Sequence, residues 1–207
     1  NSGDTTFDLA ANEGYYLTHW DADGDDLIDA TNTSSGWQIV LPTVTGSALI
    51  DTQVGWAYSL SPNGTVNDET RVWLAGEIEN ATGSRFDDAL TGNTLDNSLH
   101  GGAGNDTITT AAASSTLSGE AGNDTFVVTL ANAKAGGTAT GFVTTIKDFQ
   151  AGDVLDFIAS SNGVHAATAS SVAQLTLTTE TTVDTAITNA LNLSPVGSGT
   201  AADVAWF

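Results

Sequence analysis

Gly101-Gly102-Ala103-Gly104-Asn105-Asp106-Thr107-Ile108-Thr109 and Gly119-Glu120-Ala121-Gly122-Asn123-Asp124-Thr125-Phe126-Val127 decide the fold. These two nonapeptides start at Gly101 and Gly119, two full repeats apart. The frame holds without slipping from Gly83 to Val127. Gly83–Thr91 carries Asp88 and Leu90, and Gly92–His100 carries Leu99. Thr110–Ser118 keeps only its apolar residue, Leu117. Position eight therefore reads Leu90, Leu99, Ile108, Leu117 and Phe126, and Ala81 extends it backwards.

Positions one to six predict a tight turn, where glycine supplies positive φ and lets the main chain approach an ion. Position six supplies a hard anionic oxygen, and turn carbonyls supply neutral ones. Ca²⁺ takes six to eight such oxygens in tolerant geometry. The candidate ligand-bearing residues are Gly83, Arg85 and Asp88 in the first turn. They are Gly101, Gly102, Ala103, Gly104 and Asp106 in the second, and Gly119, Ala121, Gly122 and Asp124 in the third. Positions seven to nine predict a short strand with position eight inward. Each repeat reverses the chain, so two repeats make one coil, and alternate turns stack on one side. Calcium is expected on that side only, in the two gaps between three aspartate turns. Asp106 serves both gaps, and Asp88 and Asp124 one each. Turns Gly92–Asn97 and Thr110–Ser115 lack a position-six carboxylate and are expected to hold no ion, so that Asn97→Ala does little.

The 207 residues carry 25 acidic groups against four lysines and arginines, a net charge of −21. Such a chain repels nucleic acid and anionic membranes. It also repels itself when compact, unless cations are bound. The 40% apolar content and five tryptophans argue against disorder in the folded form. Cysteine is absent, so metal is a plausible substitute for disulfide staples in an extracellular protein. No apolar run approaches the length of a membrane span, and no signal peptide is visible.

Residues 1–78 read as a β-rich segment, 79–127 as parallel repeats, and 128–207 as a C-terminal β segment with one short helix over Thr181–Leu191. Tyr15–Trp20 and Gly36–Leu41 have strand composition. Thr43–Thr70 reads as loop with a turn at Pro62-Asn63-Gly64, followed by a short strand at Arg71–Leu74. Phe126–Leu130 and Phe142–Phe149 read as strands joined by Ala131–Gly141. The chain ends on apolar Val204–Phe207, after Asp203.

Between the first two strands, Asp21-Ala22-Asp23-Gly24-Asp25-Asp26-Leu27-Ile28-Asp29 holds five aspartates in nine residues. An EF-hand frame fits Asp21, Asp23, Asp25 and Ile28. It fails at Asp26, where glycine is needed, and at Asn32, where a bidentate glutamate should stand. A divergent nonapeptide turn with Asp26 at position six and Ile28 at position eight fits better, and a solvated acidic loop is the plain alternative. The ion reading makes Asp21, Asp23 and Asp26 ligands beside Trp20 and Leu27-Ile28, which are expected to be partly buried.

The pattern G-G-x-G-x-D-x-U-x is the calcium-binding nonapeptide of RTX proteins. Ile78–Gly83, Asp88–Asn93, Asp96–Leu99 and Gly101–Asp106 resemble the C-terminal β-roll domain of serralysin-type metalloproteases. Trp20–Asp29 resembles the segment that opens that domain. Asp148-Phe149, Gly152-Asp153 and Asp156 resemble the one that closes it. The resemblance implies an all-β fold, a right-handed parallel β-roll loaded with several Ca²⁺ ions and flanked by antiparallel strands. Asp148, Asp153 and Asp156 join the candidate ligands on this ground. It further implies export through a type I secretion apparatus, an extracellular or cell-surface location, and folding in external calcium. Residues 124–207 also resemble the end region of RTX surface-layer proteins, which continue further. Asp203 and its four apolar successors equally resemble a serralysin secretion terminus. Arg85, Phe86, Asn97 and the turn Thr110–Ser115 depart from the family pattern.

The zinc motif His-Glu-x-x-His is absent, and His19, His100 and His165 share no spacing, so no zinc is expected. His100 is expected at the surface. No nucleophile elbow or phosphate loop occurs. Asp25-Asp26 and Asp87-Asp88 sit in glycine turns, which suits metal binding better than acid–base catalysis. The reading is a non-catalytic, calcium-dependent structural and export module, with an N-terminal protease domain as its expected cargo. The competing reading is a structural or anchoring segment of a surface-layer protein or adhesin, with lattice neighbours. Neither includes nucleic-acid binding or membrane insertion.

Overall fold

The computed structural model describes residues 3–43, 54–61, 63–111, 114–130, 144–159 and 174–176. Fifteen strands and one 3-10 turn at Ala10–Asn12 make up the regular structure among these residues, an all-β chain. The expected helix at Thr181–Leu191, the connection Ala131–Gly141, His165 and the apolar terminus lie outside the described residues.

Successive repeats alternate between two sheets. The first sheet holds β1 (Thr6–Asp8), β3 (Leu27–Asp29), β7 (Asn80–Thr82), β9 (Asn97–Ala103), β11 (Ser115–Ala121) and β13 (Thr144–Ile146), in that order. Every pairing in it is parallel. The second sheet continues in parallel from β4 (Trp37–Val40) through β8 (Ala89–Thr91), β10 (Thr107–Thr109) and β12 (Thr125–Leu130) to β14 (Val154–Ala159). Parallel neighbours need a crossover of a dozen or more residues. Here the crossover is a strand of the opposite sheet, so two repeats make one coil.

Most coil strands are short, and in those of three residues only the middle one points inward. That residue is position eight. Phe7, Ile28, Ala81, Leu99, Leu117 and Ile146 stand in register in the first sheet. Ile39, Leu90, Ile108, Phe126 and Leu155 do so in the second. Leu90, Leu99, Ile108, Leu117 and Phe126 are all fully buried. One core cluster runs from Leu9 to Leu155, so the three segments read from the sequence share it. Each regular coil thus brings in only two large side chains, and the turns must hold the rest.

The N-terminal end departs from the reading in two places. Thr43–Thr70 is not simply loop, because β5 (Gly55–Leu60) and β6 (Val66–Gly76) form an antiparallel hairpin there. The hairpin pairs with β4 and carries β2 (Tyr16–Asp21) on its far side. Its outward positions alternate with buried Ala57, Val72 and Leu74, a half-buried strand pattern that the polar turn obscures. Trp20 is 46% exposed rather than partly buried, because alternation along β2 turns Leu17, His19 and Asp21 to the other face. Ile28 is buried as expected. A further antiparallel strand, β15 (Gln174–Thr176), pairs with β14. Phe142–Phe149 contributes a described strand only at Thr144–Ile146.

Candidate metal centre

Two residues before each inward residue of the second sheet the chain leaves its turn. Four of those positions are aspartates: Asp88, Asp106, Asp124 and Asp153, all buried. Strand register stacks them, and hydrogen bonds tie each to the next. The Trp37 amide donates to Asp88 Oδ1 at 2.5 Å, and the Asp88 amide to Asp106 Oδ1 at 2.8 Å. The Asp106 amide donates to Asp124 Oδ1, and the Asp124 amide to Asp153 Oδ1, each at 2.9 Å. Each carboxylate therefore spends Oδ1 on the preceding coil.

The second oxygens differ. Asp88 Oδ2 accepts from the Ser84 amide at 2.6 Å and the Ser84 hydroxyl at 2.9 Å. Asp153 Oδ2 accepts from the Gln150 amide at 2.8 Å. Asp106 Oδ2 and Asp124 Oδ2 are buried with no hydrogen-bond donor. Leaving a buried charged acceptor unpaired costs several kcal/mol, on the order of the loss of one partner of a buried ion pair. Burial, which the Asp88 amide and the like charges of Asp88 and Asp124 modify, pushes the Asp106 carboxyl up to about 8. Burial pushes Asp88 up to about 6, held back by its Ser84 and Trp37 donors. Asp124 is raised by burial as well, with Asp153 and Asp148 adding repulsion.

Position one shows what surrounds the orphaned oxygens. A Cβ on Gly101 would collide with Asp106 Oδ2 and lie 2.9 Å from the Gly119 carbonyl oxygen. A carboxylate oxygen and a main-chain oxygen of the next coil therefore converge beside Gly101. Gly83 and Gly119 clear the same space for Asp88 and Asp124. Glu120 occupies position two with φ of +67°, where Gly102 has +108°. Its amide is held by Asp148 Oδ2 at 2.8 Å.

The opposite column is built differently. Asn97, buried at position six, accepts from the Asn93 amide at 2.9 Å. Its amide group donates to the Glu79 carbonyl at 2.9 Å and to Asn93 Oδ1 at 2.8 Å. Asn93 in turn donates to the carbonyls of Pro42 and Ile78. Ser115 continues this column, so the even-side turns after Glu79 carry no carboxylate at position six. Toward the N-terminus the same column reaches Glu79 and Asp26. The Thr5 amide donates to Asp26 Oδ1 at 2.8 Å, and the Asp26 amide to Glu79 Oε2 at 2.9 Å. Asp26 Oδ2 is buried without a donor. Burial raises both Asp26 and Glu79. Ile28 pairs with Ala81, so Asp26 takes position six as the nonapeptide reading had it, but on the side away from Asp88, Asp106 and Asp124. No helix flanks the loop among the described residues, as an EF-hand would require.

The remaining candidates scatter. Asp21 is buried at the end of β2, where Asp21 Oδ1 accepts from the Ala22 amide. Asp23 is exposed at the loop tip. Arg85 is exposed, with its guanidinium 5.0 Å over the Phe86 ring. Ala103, Gly104, Ala121 and Gly122 form the turn walls, with the Gly104 amide donating to the Ala121 carbonyl at 2.9 Å. Asp148 stands where the earlier turns have glycine. Its carboxylate accepts from the Ser118 hydroxyl and the amides of Gly119 and Glu120. Burial works to raise its pKa, but these donors outweigh it and the carboxyl is lowered. Asp156 does not join the column, because it lies on β14, paired with Val127 on the outward face. His100 is partly exposed beside Glu120, at 3.3 Å.

Two features of the column escape the repeat frame. Asp153 extends it past Asp124, so Asp124 also has an aspartate on each side and the expected privilege of Asp106 falls away. The step from Asp124 to Asp153 is longer than two repeats, which breaks the period. Glu79 was legible in principle, two residues before Ala81. Among the described residues no three carboxylate or imidazole side chains converge on one point. The oxygens converging beside Gly101 are instead one carboxylate oxygen and one main-chain carbonyl oxygen, the kind of hard ligand that suits a cation tolerant of geometry. The chain matches no protein-family model and no curated protein.

Proposed function

We propose that the chain is a calcium-loaded, right-handed β-roll that serves as the folding and export module of a type I-secreted extracellular protein. The observation that carries this reading is the buried aspartate column with donor-free oxygens on Asp106 and Asp124. At neutral pH the metal-free coil forces these carboxylates either to ionise without partners or to hold protons far above their normal range. A cation between coils supplies the missing partner, so its binding free energy becomes folding free energy. A chain of net charge −21 then stays open in low calcium and closes in high calcium. That order of events suits passage through a channel followed by folding outside. The module carries no zinc motif, so catalysis belongs to a serralysin-like cargo domain.

Far-UV circular dichroism of the chain in EGTA and in millimolar Ca²⁺ tests this. Strand signal is expected only with calcium. Magnesium should substitute poorly, since it holds its waters and demands octahedral geometry. A spectrum indifferent to EGTA rejects the reading.

A further inference from the structure

The outer face of the second sheet differs from the rest of the molecule. Strand register lays its outward residues in two rows. One row begins Tyr16, Arg71, Tyr58 and Gln38. The other begins Thr18, Trp73, Trp56 and Val40, with Trp20 one step further along β2. Tyr16 is 62% exposed, Trp20 46% and Trp73 43%. Both rows then run on over β8 and β10 as Ala89 and Thr107, and Thr91 and Thr109. Neither row meets a carboxylate before Asp156 on β14. With 25 acidic residues in the chain, two rows free of carboxylates over this length set the aromatic surface apart from the charge.

The chemistry of the face selects its partner. Trp73 and Trp56 stand on paired positions of neighbouring strands, about 4.8 Å apart along the sheet. Trp56 and Tyr58 are near parallel, with centroids 6.2 Å apart and planes at 18°. Arg71 lies 4.9 Å over the Tyr58 ring. Aromatic rings on a rigid sheet offer area at low conformational cost, and large exposed patches of this kind mark binding surfaces. Around the rings stand the hydroxyls of Thr18, Thr91 and Thr109, the Gln38 amide and the Arg71 guanidinium, with only small aliphatic side chains among them, Val40, Ala75 and the exposed Val54. A protein partner would bring apolar side chains to meet apolar ones. A sugar ring brings an apolar C–H face and a rim of hydroxyls. The net charge repels anionic polymers and second copies alike.

We infer that this face binds a neutral polysaccharide, with sugar rings laid on Trp73 and Trp56 and the chain running across the strands onto the Thr91 and Thr109 track. The binding surface is independent of the calcium column. It is tested by native electrophoresis of the whole chain in millimolar calcium, through gels containing hydroxyethylcellulose, mixed-linkage β-glucan or galactomannan. At least one gel should retard the chain, and Trp73→Ala should weaken that retardation about tenfold, the scale of one lost aromatic contact with its buried area. Trp56→Phe should retain most of it, since it keeps a ring, whereas Trp56→Ala should not. Circular dichroism in calcium checks that each variant is folded. Polygalacturonate should give no retardation. The inference is overturned if none of the three neutral gels retards the chain, or if neither alanine variant alters retardation. It is equally overturned if polygalacturonate retards it as strongly, or if the chain is a dimer that Trp73→Ala dissociates while no neutral gel retards it.

Discussion

Asn97 and Asp106 occupy the same position of successive repeats, on opposite sides of the coil. Each is buried, and a Cβ on its position-one glycine, Gly92 or Gly101, would collide with its side-chain oxygen. The side chains differ only in having an amide nitrogen or a second oxygen. Asn97 uses that nitrogen to donate to Glu79 and Asn93, and its turn closes on itself. The oxygen beside the position-one glycine is satisfied in Asn97 by the Asn93 amide, whereas Asp106 Oδ2 in the same place receives no donor and stays without a partner. The Asn97 turn is finished by the chain, and the Asp106 turn is completed only by something positive from outside.

Exchanging the two chemistries should break this contrast most visibly. Asp106→Asn keeps the shape and, with its nitrogen in the place of Oδ2, puts a donor beside the Gly119 carbonyl. Without calcium the variant should be more stable than the native chain. With saturating calcium it should be less stable, by several kcal/mol, on the order of a lost partner in a buried charged site. Strand signal in EGTA and urea denaturation in calcium should show the two proteins exchanging order. A variant less stable in both conditions would mean that Asp106 is already satisfied by the chain. Asn97→Ala, expected from the sequence to do little, should instead cost about 1–3 kcal/mol even in calcium, since Asn93 and Glu79 lose their partner.

Acid should mimic the cation. Asp88 and Asp106 have folded pKa values raised from 3.8 to about 6 and about 8. A raised carboxyl binds more protons folded than unfolded, so stability falls as pH rises across that interval. The contribution is full below pH 3.8 and is lost through about 6 for Asp88 and about 8 for Asp106. The calcium-free chain should therefore show more strand signal by circular dichroism at pH 5 than at pH 8.5. Relief of self-repulsion at low pH acts in the same direction. Asp106→Asn isolates the column's share by flattening the upper part of the profile. A calcium-free stability that rises between these pH values would contradict the raised carboxyls.

The smallest effect should come from Ser84→Ala. Asp88 keeps the Ser84 amide and loses only the hydroxyl, which predicts a cost of about 0.5–1.5 kcal/mol in thermal or urea unfolding. A much larger loss would place Asp88 with Asp106 and Asp124 among the cation-dependent positions.

The repeat itself was fully legible. A coil of two repeats can only stack like positions, so the inward ladder, the two-sheet alternation and the separation of Asp106 from Asn97 follow from counting. Counting fails where the step changes. The stretch between Leu27 and Asn80 hides a hairpin, and the stretch between Asp124 and Asp153 hides the fourth aspartate of the column. Asp156 was misplaced for a related reason. It is acidic and close in sequence to Asp153, but three residues along a strand carry it out of the turn.

Sequence alone determined what each turn is made of: glycine where a side chain would collide, and a carboxylate or an amide at position six. Those choices are local, because turn geometry and strand alternation act over a few residues. Only the tertiary structure decided which oxygens remain without partners. Whether Asp88 is satisfied and Asp106 is not depends on a serine hydroxyl, on amides one coil away and on burial by a neighbouring sheet. It likewise decided that Trp56 and Trp73 share one face, since a hairpin register brings them side by side from separate strands. Hydrogen-bond satisfaction and surface adjacency are properties of neighbours in space, and chain order does not list them.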